Sequence, residues 1–174
     1  MNLYDETKFI MKQNNITANK KLGQNFLVDE NVVDSIIDSA EVTKEDLVIE
    51  IGPGLGTLTK RLLDRAGKVI CIELDHKMIS ILENRFKLYD NIEIINEDVL
   101  KIDLNKLIEL NKNKNIKKAK IVANLPYYIT TPIIMKLLEE KLNIESITVM
   151  IQKEVAQRLA ARPGEKEVGS ITYT

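Results

Sequence analysis

Gly52, Gly54 and Gly56 follow a short apolar run, residues 47–51, and their spacing is typical of a turn that binds a ligand through its backbone. Leucines recur at helical spacing after the glycines, so the turn should connect a buried strand to a helix. Glycine allows a tight turn and a close approach of the backbone to a ligand, with the helix N-terminus behind it. We therefore expect the central ligand-binding turn of the protein at this position.

Three further polar residues, Glu73, Asp98 and Asn124, follow later apolar runs. Glu73 stands where folds of this kind place the carboxylate that accepts hydrogen bonds from ribose hydroxyl groups. An isolated acid after a strand is usually a helix cap or part of a solvated turn. Polar or glycine features at the ends of four successive strands instead predict one binding site, because the carboxyl ends of parallel strands lie together.

The elements that must position these residues alternate between buried strands and helices, which predicts an α/β fold with a mostly parallel sheet and helices on both faces. The predicted strands cover residues 47–51, 68–74, 91–95, 119–123 and 146–151. Helices are predicted at 4–14, after a cap at Asp29, at 58–66, after the second strand, at 104–110, at about 132–142 and at 153–161. The predicted inward faces of the second and fourth helices are Val32, Val33, Ile36 and Ile37, and Met78, Ile79, Leu82 and Phe86.

The composition is typical of one globular domain, with 174 residues of which 44% are hydrophobic and 29% charged. No apolar run approaches the roughly 18 residues that a membrane span requires, and the N-terminus lacks the apolar core of a signal peptide. These features predict a cytoplasmic protein without a membrane partner.

The single cysteine and the single histidine offer little metal or redox chemistry. Cys71 lies in an apolar run and should be a buried, inert thiol. The lone His76 has no companion ligand, so we expect no metal site.

The net charge of −1 disfavours strong, sequence-independent binding of nucleic acid by the domain as a whole. Lysines nevertheless form two groups, which are either solvated surface or parts of a basic track for a polyanion. The first group comprises Lys8, Lys12, Lys20 and Lys21, and the second comprises Lys112, Lys114, Lys117, Lys118 and Lys120.

The glycine spacing favours S-adenosylmethionine over NAD as the cofactor. A dinucleotide needs G-x-G-x-x-G to cradle its pyrophosphate, and here a threonine stands in place of the third glycine. S-adenosylmethionine has no phosphate and needs a close backbone turn with acceptors for ribose and adenine. Glu73 would bind the ribose and Asp98 the adenine amino group, with Val99 or Leu100 beside the ring. Glu50 would either face the amino group of the cofactor or cap the turn.

The motif Asn124-Leu125-Pro126-Tyr127 predicts chemistry on an adenine amine. That amine is a poor nucleophile because its lone pair is delocalised into the ring. The side-chain oxygen of Asn124 and a backbone carbonyl held by Pro126 would accept its two hydrogens and favour a more pyramidal nitrogen. Tyr127 can stack on the extruded base. The alternative is an ordinary Asn-x-Pro loop with aromatic residues in the core.

Six blocks of the sequence closely resemble the bacterial small-subunit ribosomal RNA adenine dimethyltransferases of the KsgA (RsmA) type. The blocks are LGQNFL, EIGPGLGTLT, IELD, NEDVL, NLPYYI and QKEVAQRLAARPG, and the resemblance extends from about Ile16 onward. In that family, the residues matching Asn25, Leu27, Gly52, Glu73, Asp98 and Asn124 contact S-adenosylmethionine. To these the predicted cofactor site adds Gly54 and Val99. The tyrosine matching Tyr127 faces the target adenine, and Asn124 to Tyr127 form the predicted catalytic motif.

The resemblance implies a class I methyltransferase with a Rossmann-like fold that dimethylates N6 of two adjacent adenosines in the last hairpin loop of 16S ribosomal RNA. The implied partner is this RNA in the immature small ribosomal subunit, and we expect a monomer. Residues 1–30 would form an N-terminal helix and an arm near the RNA and cofactor, and residues 31–174 the cofactor-binding domain. Members of the family have further strands and a helical C-terminal domain, which we expect this sequence to lack.

Two other functions remain open at this point. The sister family that methylates one adenine of 23S ribosomal RNA and confers macrolide resistance shares the glycine turn and an Asn-x-Pro-aromatic motif. A protein of another class, a non-catalytic RNA- or transcription-associated protein, could keep the same fold. The complete glycine turn beside an intact Asn124-Leu125-Pro126-Tyr127 motif favours an enzyme over the latter.

Overall fold

A computed structural model describes residues 1–17, 29–125 and 129–150, in which helices and strands alternate. The helices are α1 (Leu3–Gln13), α2 (Glu30–Ala40), α3 (Thr57–Arg65), α4 (His76–Arg85), α5 (Leu104–Asn111) and α6 (Thr130–Glu139). The strands are β1 (Asp46–Ile51), β2 (Lys68–Glu73), β3 (Ile92–Asn96), β4 (Lys118–Asn124) and β5 (Ser146–Met150). A short 3-10 helix, Val99–Lys101, follows β3. The predicted helix at 153–161 lies outside the described residues.

The described strands form one parallel sheet in the order β3-β2-β1-β4-β5. The chain proceeds outward from β1 to β3 and then returns to the other side of β1 with β4, so the winding direction reverses between β1 and β4. Sheets of this type bind their ligands at the carboxyl ends of the strands beside this reversal. Ile51 pairs with Ile72 on one side and Ala123 on the other, so the turns after β1, β2 and β4 begin side by side.

Helices cover both faces of the sheet, as predicted. Successive residues of a strand point to opposite faces, and β1 divides its side chains in this way. Val48 belongs to one core cluster together with Leu62 of α3, whereas Ile49 belongs to a second cluster together with Ile108 of α5 and Ile133 of α6. The predicted α/β class and the mostly parallel sheet are therefore confirmed.

Helix caps fix the starts of several elements. Asp29 accepts a hydrogen bond from the backbone N–H of Asn31 and begins α2, as the sequence predicted.

The buried faces of two helices can be compared with the predicted ones. Of the predicted inward face of α2, Val32 is 37% exposed, whereas Val33, Ile36 and Ile37 are buried. For α4, the prediction is confirmed for Met78, Leu82 and Phe86, which are buried, whereas Ile79 is half-buried and Ile81 is buried in addition.

Strands β1 and β4 each begin one residue earlier than predicted, and a buried ion pair joins their first halves. The ammonium group of Lys120 donates to Oδ2 of Asp46 (3.0 Å) and to the carbonyl oxygen of Glu41 (2.8 Å). Lys120 is 6% exposed and Asp46 is fully buried. The assignment of Lys120 to a surface lysine group was therefore wrong, because sequence periodicity cannot identify a lysine whose partner lies on another strand.

Candidate functional site

The glycine turn after β1 needs backbone conformations that only glycine adopts without strain. Gly52, Gly54 and Gly56 all have positive φ, at 71°, 57° and 88°. The N–H of Gly52 donates to the carbonyl oxygen of Ile72 (3.1 Å), which fastens the turn to the end of β2. Gly56 precedes the first residue of α3, so the turn leads directly into a helix N-terminus, as predicted.

Glu73 ends β2 with its carboxylate held against the glycine turn. Its Oε1 accepts a hydrogen bond from the N–H of Gly54 (3.2 Å). Its Oε2 accepts from the N–H groups of Leu74 (2.7 Å) and Asp75 (3.2 Å). Burial raises the pKa of the Glu73 carboxyl, and these three backbone donors oppose that effect. The carboxylate is thus oriented by the backbone and half-buried, which suits a fixed acceptor for ligand hydroxyl groups.

The end of β3 contributes Asn96, a residue that sequence reasoning missed. Its side-chain amide donates to the carbonyl oxygens of Glu73 (2.9 Å) and Leu74 (3.1 Å), and so ties the ends of β2 and β3 together. The available signal was its position as a polar residue at the end of an apolar strand. Asn96 therefore supports the backbone that carries the Glu73 carboxylate.

Asp98 lies beyond β3 as a helix cap, the ordinary role of an acid after a strand. Its Oδ1 accepts from the N–H of Leu100 (2.9 Å) and begins the 3-10 helix. The side chain of Val99 is 5% exposed and packs in the second core cluster, whereas Leu100 is 40% exposed. Of the two residues proposed to flank adenine, Leu100 therefore offers a side chain to a ligand, and Val99 can contribute only through its backbone.

Asn124 is the last residue of β4, where it pairs with Met150 of β5. Leu125 is 6% exposed and packs in the second core cluster, so its role is to anchor the motif that follows β4. Pro126, Tyr127, Asn25 and Leu27 lie outside the described residues. The structure thus brings the glycine turn, Glu73, Asp98 and Asn124 to one edge of the sheet.

Glu50 is buried directly beneath this edge. Its Oε1 accepts hydrogen bonds from the hydroxyl of Thr59 and from Sγ of Cys71 (3.8 Å). Its Oε2 has no hydrogen-bond partner among the described residues. Burial raises the pKa of Glu50 to about 7, and the nearby Glu73 adds to this effect while the two hydrogen bonds oppose it. A buried carboxyl with one unsatisfied oxygen fits a site for a cationic group better than a simple turn cap.

Cys71 is fully buried, as predicted. Burial raises the pKa of its thiol, and the neighbouring Glu50 adds to this effect. A protonated thiol is a poor nucleophile and a poor metal ligand.

Across the part of the chain that the structure describes, no group of three or more histidine, cysteine or acidic side chains could hold a metal ion. Within the same residues, no helix has both the length and the apolar character of a membrane span.

The second lysine group lies at the amino ends of the strands, whereas the candidate site lies at their carboxyl ends. Lys118 begins β4 and Asn124 ends it, and seven residues at about 3.3 Å each span roughly 20 Å. Lys117 and Lys118 also pair with Glu45 (3.1 Å) and Glu145 (3.3 Å). These lysines fit a solvated, partly neutralised surface better than a basic track beside the site.

Comparison with curated proteins finds close relatives. The chain is 56% identical over 166 residues to "Ribosomal RNA small subunit methyltransferase A" of Clostridium botulinum (strain Kyoto / Type A2). The match covers 95% of this chain and 58% of that relative. The chain therefore spans a little over half the length of the curated relatives that it matches.

Two solved structures of methyl-transferring enzymes also resemble this chain. The chain matches a dimethyladenosine transferase from Plasmodium falciparum with 34% identity and a TM-score of 0.66, over 81% of this chain and 48% of that one. It matches the 23S rRNA methyltransferase ErmE with 32% identity and a TM-score of 0.64, over 76% of this chain and 50% of that one. The family model described as "Ribosomal RNA adenine dimethylase" matches residues 15–174. The chain belongs to the ribosomal RNA adenine dimethylase family.

Proposed function

We propose that this chain supplies the cofactor-binding domain of an enzyme that transfers methyl groups from S-adenosylmethionine to N6 of adenine in ribosomal RNA. The observation that carries the proposal is the hydrogen-bonded unit of the glycine turn and Glu73, located where the sheet reverses its winding. Class I methyltransferases use this position for their cofactor, and 56% identity to a small-subunit RNA methyltransferase supports the same use here.

The donor set of the site fits S-adenosylmethionine. Glu73 would accept hydrogen bonds from both ribose hydroxyl groups, since its carboxylate is already oriented by three backbone N–H groups. Asp98 would accept from the adenine amino group, with Leu100 beside the ring. Oε2 of Glu50, which has no hydrogen-bond partner in the described part of the chain, would face the positively charged methionine amino group. Gly52, Gly54, Val99, Asn25 and Leu27 complete the proposed cofactor contacts.

The bound cofactor would supply an electrophilic methyl group on a sulfonium centre. The protein would contribute position and orientation rather than covalent chemistry. Asn124, at the end of β4, would accept a hydrogen bond from the adenine amine and hold it in line with the methyl group. Pro126 would fix the backbone carbonyl that accepts the second hydrogen, and Tyr127 would stack on the extruded base. Leu125 anchors this motif in the core.

The proposed substrate is 16S ribosomal RNA in the immature small subunit, at two adjacent adenosines of the 3′-terminal hairpin loop. We further propose that the protein is a cytoplasmic monomer that needs no metal, with residues 1–30 near RNA and cofactor and residues 31–174 forming the cofactor-binding domain. A 23S ribosomal RNA substrate is the second candidate, because the ErmE structure resembles this chain nearly as well as the dimethyladenosine transferase does.

Two measurements test the proposal. Calorimetric titration should detect binding of S-adenosylmethionine and none of NAD; binding of NAD alone would identify a dinucleotide enzyme, and binding of neither would favour the non-catalytic alternative. The full-length enzyme is then incubated with labelled cofactor and small or large ribosomal subunits that lack adenine methylation. Label in the 3′-terminal loop of 16S RNA is the expected result, and label in 23S RNA would identify the sister activity.

A further inference from the structure

We infer that Arg85 is a positioning residue for the cofactor-binding glycine turn, and that Glu6 of α1 holds Arg85 in place. The inference rests on the proposed function, because it assumes that the turn binds S-adenosylmethionine. It assigns a role in cofactor binding to the N-terminal helix through a side chain that need not touch the cofactor.

Arg85 ends α4 and reaches into the centre of the turn. Its Nη1 donates a hydrogen bond to the carbonyl oxygen of Leu55 at 2.7 Å. Leu55 lies between Gly54 and Gly56, which both have positive φ. Glycines allow this conformation but do not enforce it, and they lose more conformational freedom on ordering than other residues. A charged donor bound to the peptide between them therefore selects one arrangement of the turn.

The same turn is held from its other side by the site itself. The N–H of Gly54 donates to Oε1 of Glu73 (3.2 Å), and the carbonyl of the next residue accepts from Arg85. A displacement of the Leu55 carbonyl would therefore shift the Gly54 amide relative to the carboxylate proposed to bind ribose. Arg85 is in this way connected to Glu73 through two adjacent residues of the turn.

Glu6 provides the second contact of the Arg85 guanidinium. Nη2 of Arg85 lies 2.5 Å from Oε1 of Glu6, and the Arg85 side chain is only 17% exposed. Burial lowers the pKa of Arg85, and Glu6 opposes this. Because a guanidinium is rigid and planar, one group bridges the α1 carboxylate and the turn carbonyl in a fixed geometry. A lysine has the charge but lacks this fork.

Apolar packing connects the same two elements. The side chain of Leu55 is 2% exposed and lies in a cluster with Ile16, Met78 and Ile81. Ile10 and Met11 of α1 pack against this cluster. The turn is thus fastened to α1 through its side chain as well as through its backbone. Packing explains why the turn stays near α1, and the Arg85 bridge explains how its peptide is oriented.

The test compares cofactor affinity with stability in Arg85→Lys and Glu6→Gln variants of the 174-residue chain. We expect Arg85→Lys to weaken S-adenosylmethionine binding by about tenfold, the range of one lost charge-assisted hydrogen bond, and Glu6→Gln by roughly threefold. The double variant should lose no more affinity than Arg85→Lys alone, since both changes break one bridge. Ile108→Val, in the core cluster on the other face of the sheet, is the control for lost stability and should bind normally.

The amide resonances of Gly54 and Gly56, recorded without ligand by NMR, give a readout that a purely stabilising role would not move. Both should shift in Arg85→Lys and Glu6→Gln and stay in place in Ile108→Val. Wild-type affinity and unshifted resonances in Glu6→Gln and Arg85→Lys would overturn the inference, and additive losses in the double variant would overturn the role of Glu6. Failure of the unaltered chain to bind S-adenosylmethionine would instead refute the proposed function.

Discussion

Gly54 and Glu73 are 19 residues apart in the chain and are joined by a hydrogen bond of 3.2 Å from the Gly54 N–H to Oε1 of Glu73. This contact unites the two sequence features that separately predicted a ligand site. It depends on the parallel pairing of β1 with β2, which brings the ends of both strands to the same edge. The Glu73 carboxylate and the glycine turn consequently form one structural unit.

Replacing Glu73 with alanine should remove S-adenosylmethionine binding more than it harms folding. A carboxylate that accepts two ribose hydroxyl groups contributes about 2–4 kcal/mol through charge-assisted hydrogen bonds. Calorimetry measures the affinity, and urea unfolding measures the stability. Glu83→Ala, on the exposed side of α4, is the matched control and should change neither. Unaltered affinity in a folded Glu73→Ala variant would remove Glu73 from the site.

Replacing Gly56 with alanine should destabilise the domain through packing and backbone strain. A Cβ at this position would lie 2.5 Å from Cε2 of Phe86, and the φ of +88° is unfavourable for any residue with a side chain. Overpacking of a core costs about 1–3 kcal/mol, measurable by urea unfolding. Phe86→Leu combined with Gly56→Ala should recover part of the loss, whereas strictly additive losses would show that the aromatic ring is not the obstacle.

The buried Glu50 should make stability fall between about pH 4.5 and pH 7. Its pKa is raised from 4.5 to about 7, so the folded protein binds more protons than the unfolded chain in this interval. Stability is therefore highest at the acidic end, decreases as the pH rises through the folded pKa, and then levels off. The full difference is roughly 3 kcal/mol. Glu50→Gln should lack this component, and an unchanged pH profile in that variant would contradict the assignment.

Replacing Lys120 with alanine should cost much stability because it leaves Asp46 charged and buried without its partner. Loss of one member of a buried ion pair costs about 3–5 kcal/mol. The matched control is Lys117→Ala, which breaks an exposed pair with Glu45 and should cost at most about 1 kcal/mol. Guanidinium unfolding of both variants measures the contrast. Similar losses in the two would mean that Lys120 is solvated in the folded protein.

Replacing Tyr127 with alanine in the full-length enzyme should impair methyl transfer and spare cofactor binding. Stacking of a base on an aromatic ring contributes about 1–3 kcal/mol, and in the proposed function this energy would hold RNA rather than cofactor. Methyl incorporation into immature small subunits and calorimetric cofactor affinity separate the two effects. Tyr127→Phe keeps the ring and should retain most activity. Equal losses of transfer and of cofactor affinity in the alanine variant would assign Tyr127 to the cofactor pocket or the core.

Much of the fold could be predicted from local pattern. Alternating apolar runs gave the described strands to within one or two residues, and Asp29 was identified as a helix cap. The glycine turn was also predictable, because three glycines after a buried strand have few other uses. Errors occurred where burial depends on a distant partner. Lys120 and Asp46 look like surface residues in the sequence and are buried only because each neutralises the other.

The sequence by itself determined the parallel α/β architecture, the glycine turn, and the acids and the asparagine that end the strands, because strand and turn propensities are properties of neighbouring residues. Only the tertiary structure decided which of these groups meet. Strand order and register bring Glu73 to Gly54 and leave one oxygen of Glu50 without a partner among the described residues. The packing of α1 and α4 beside the glycine turn joins Arg85 to both Leu55 and Glu6. Such contacts connect residues that are distant in sequence, and no local periodicity encodes them.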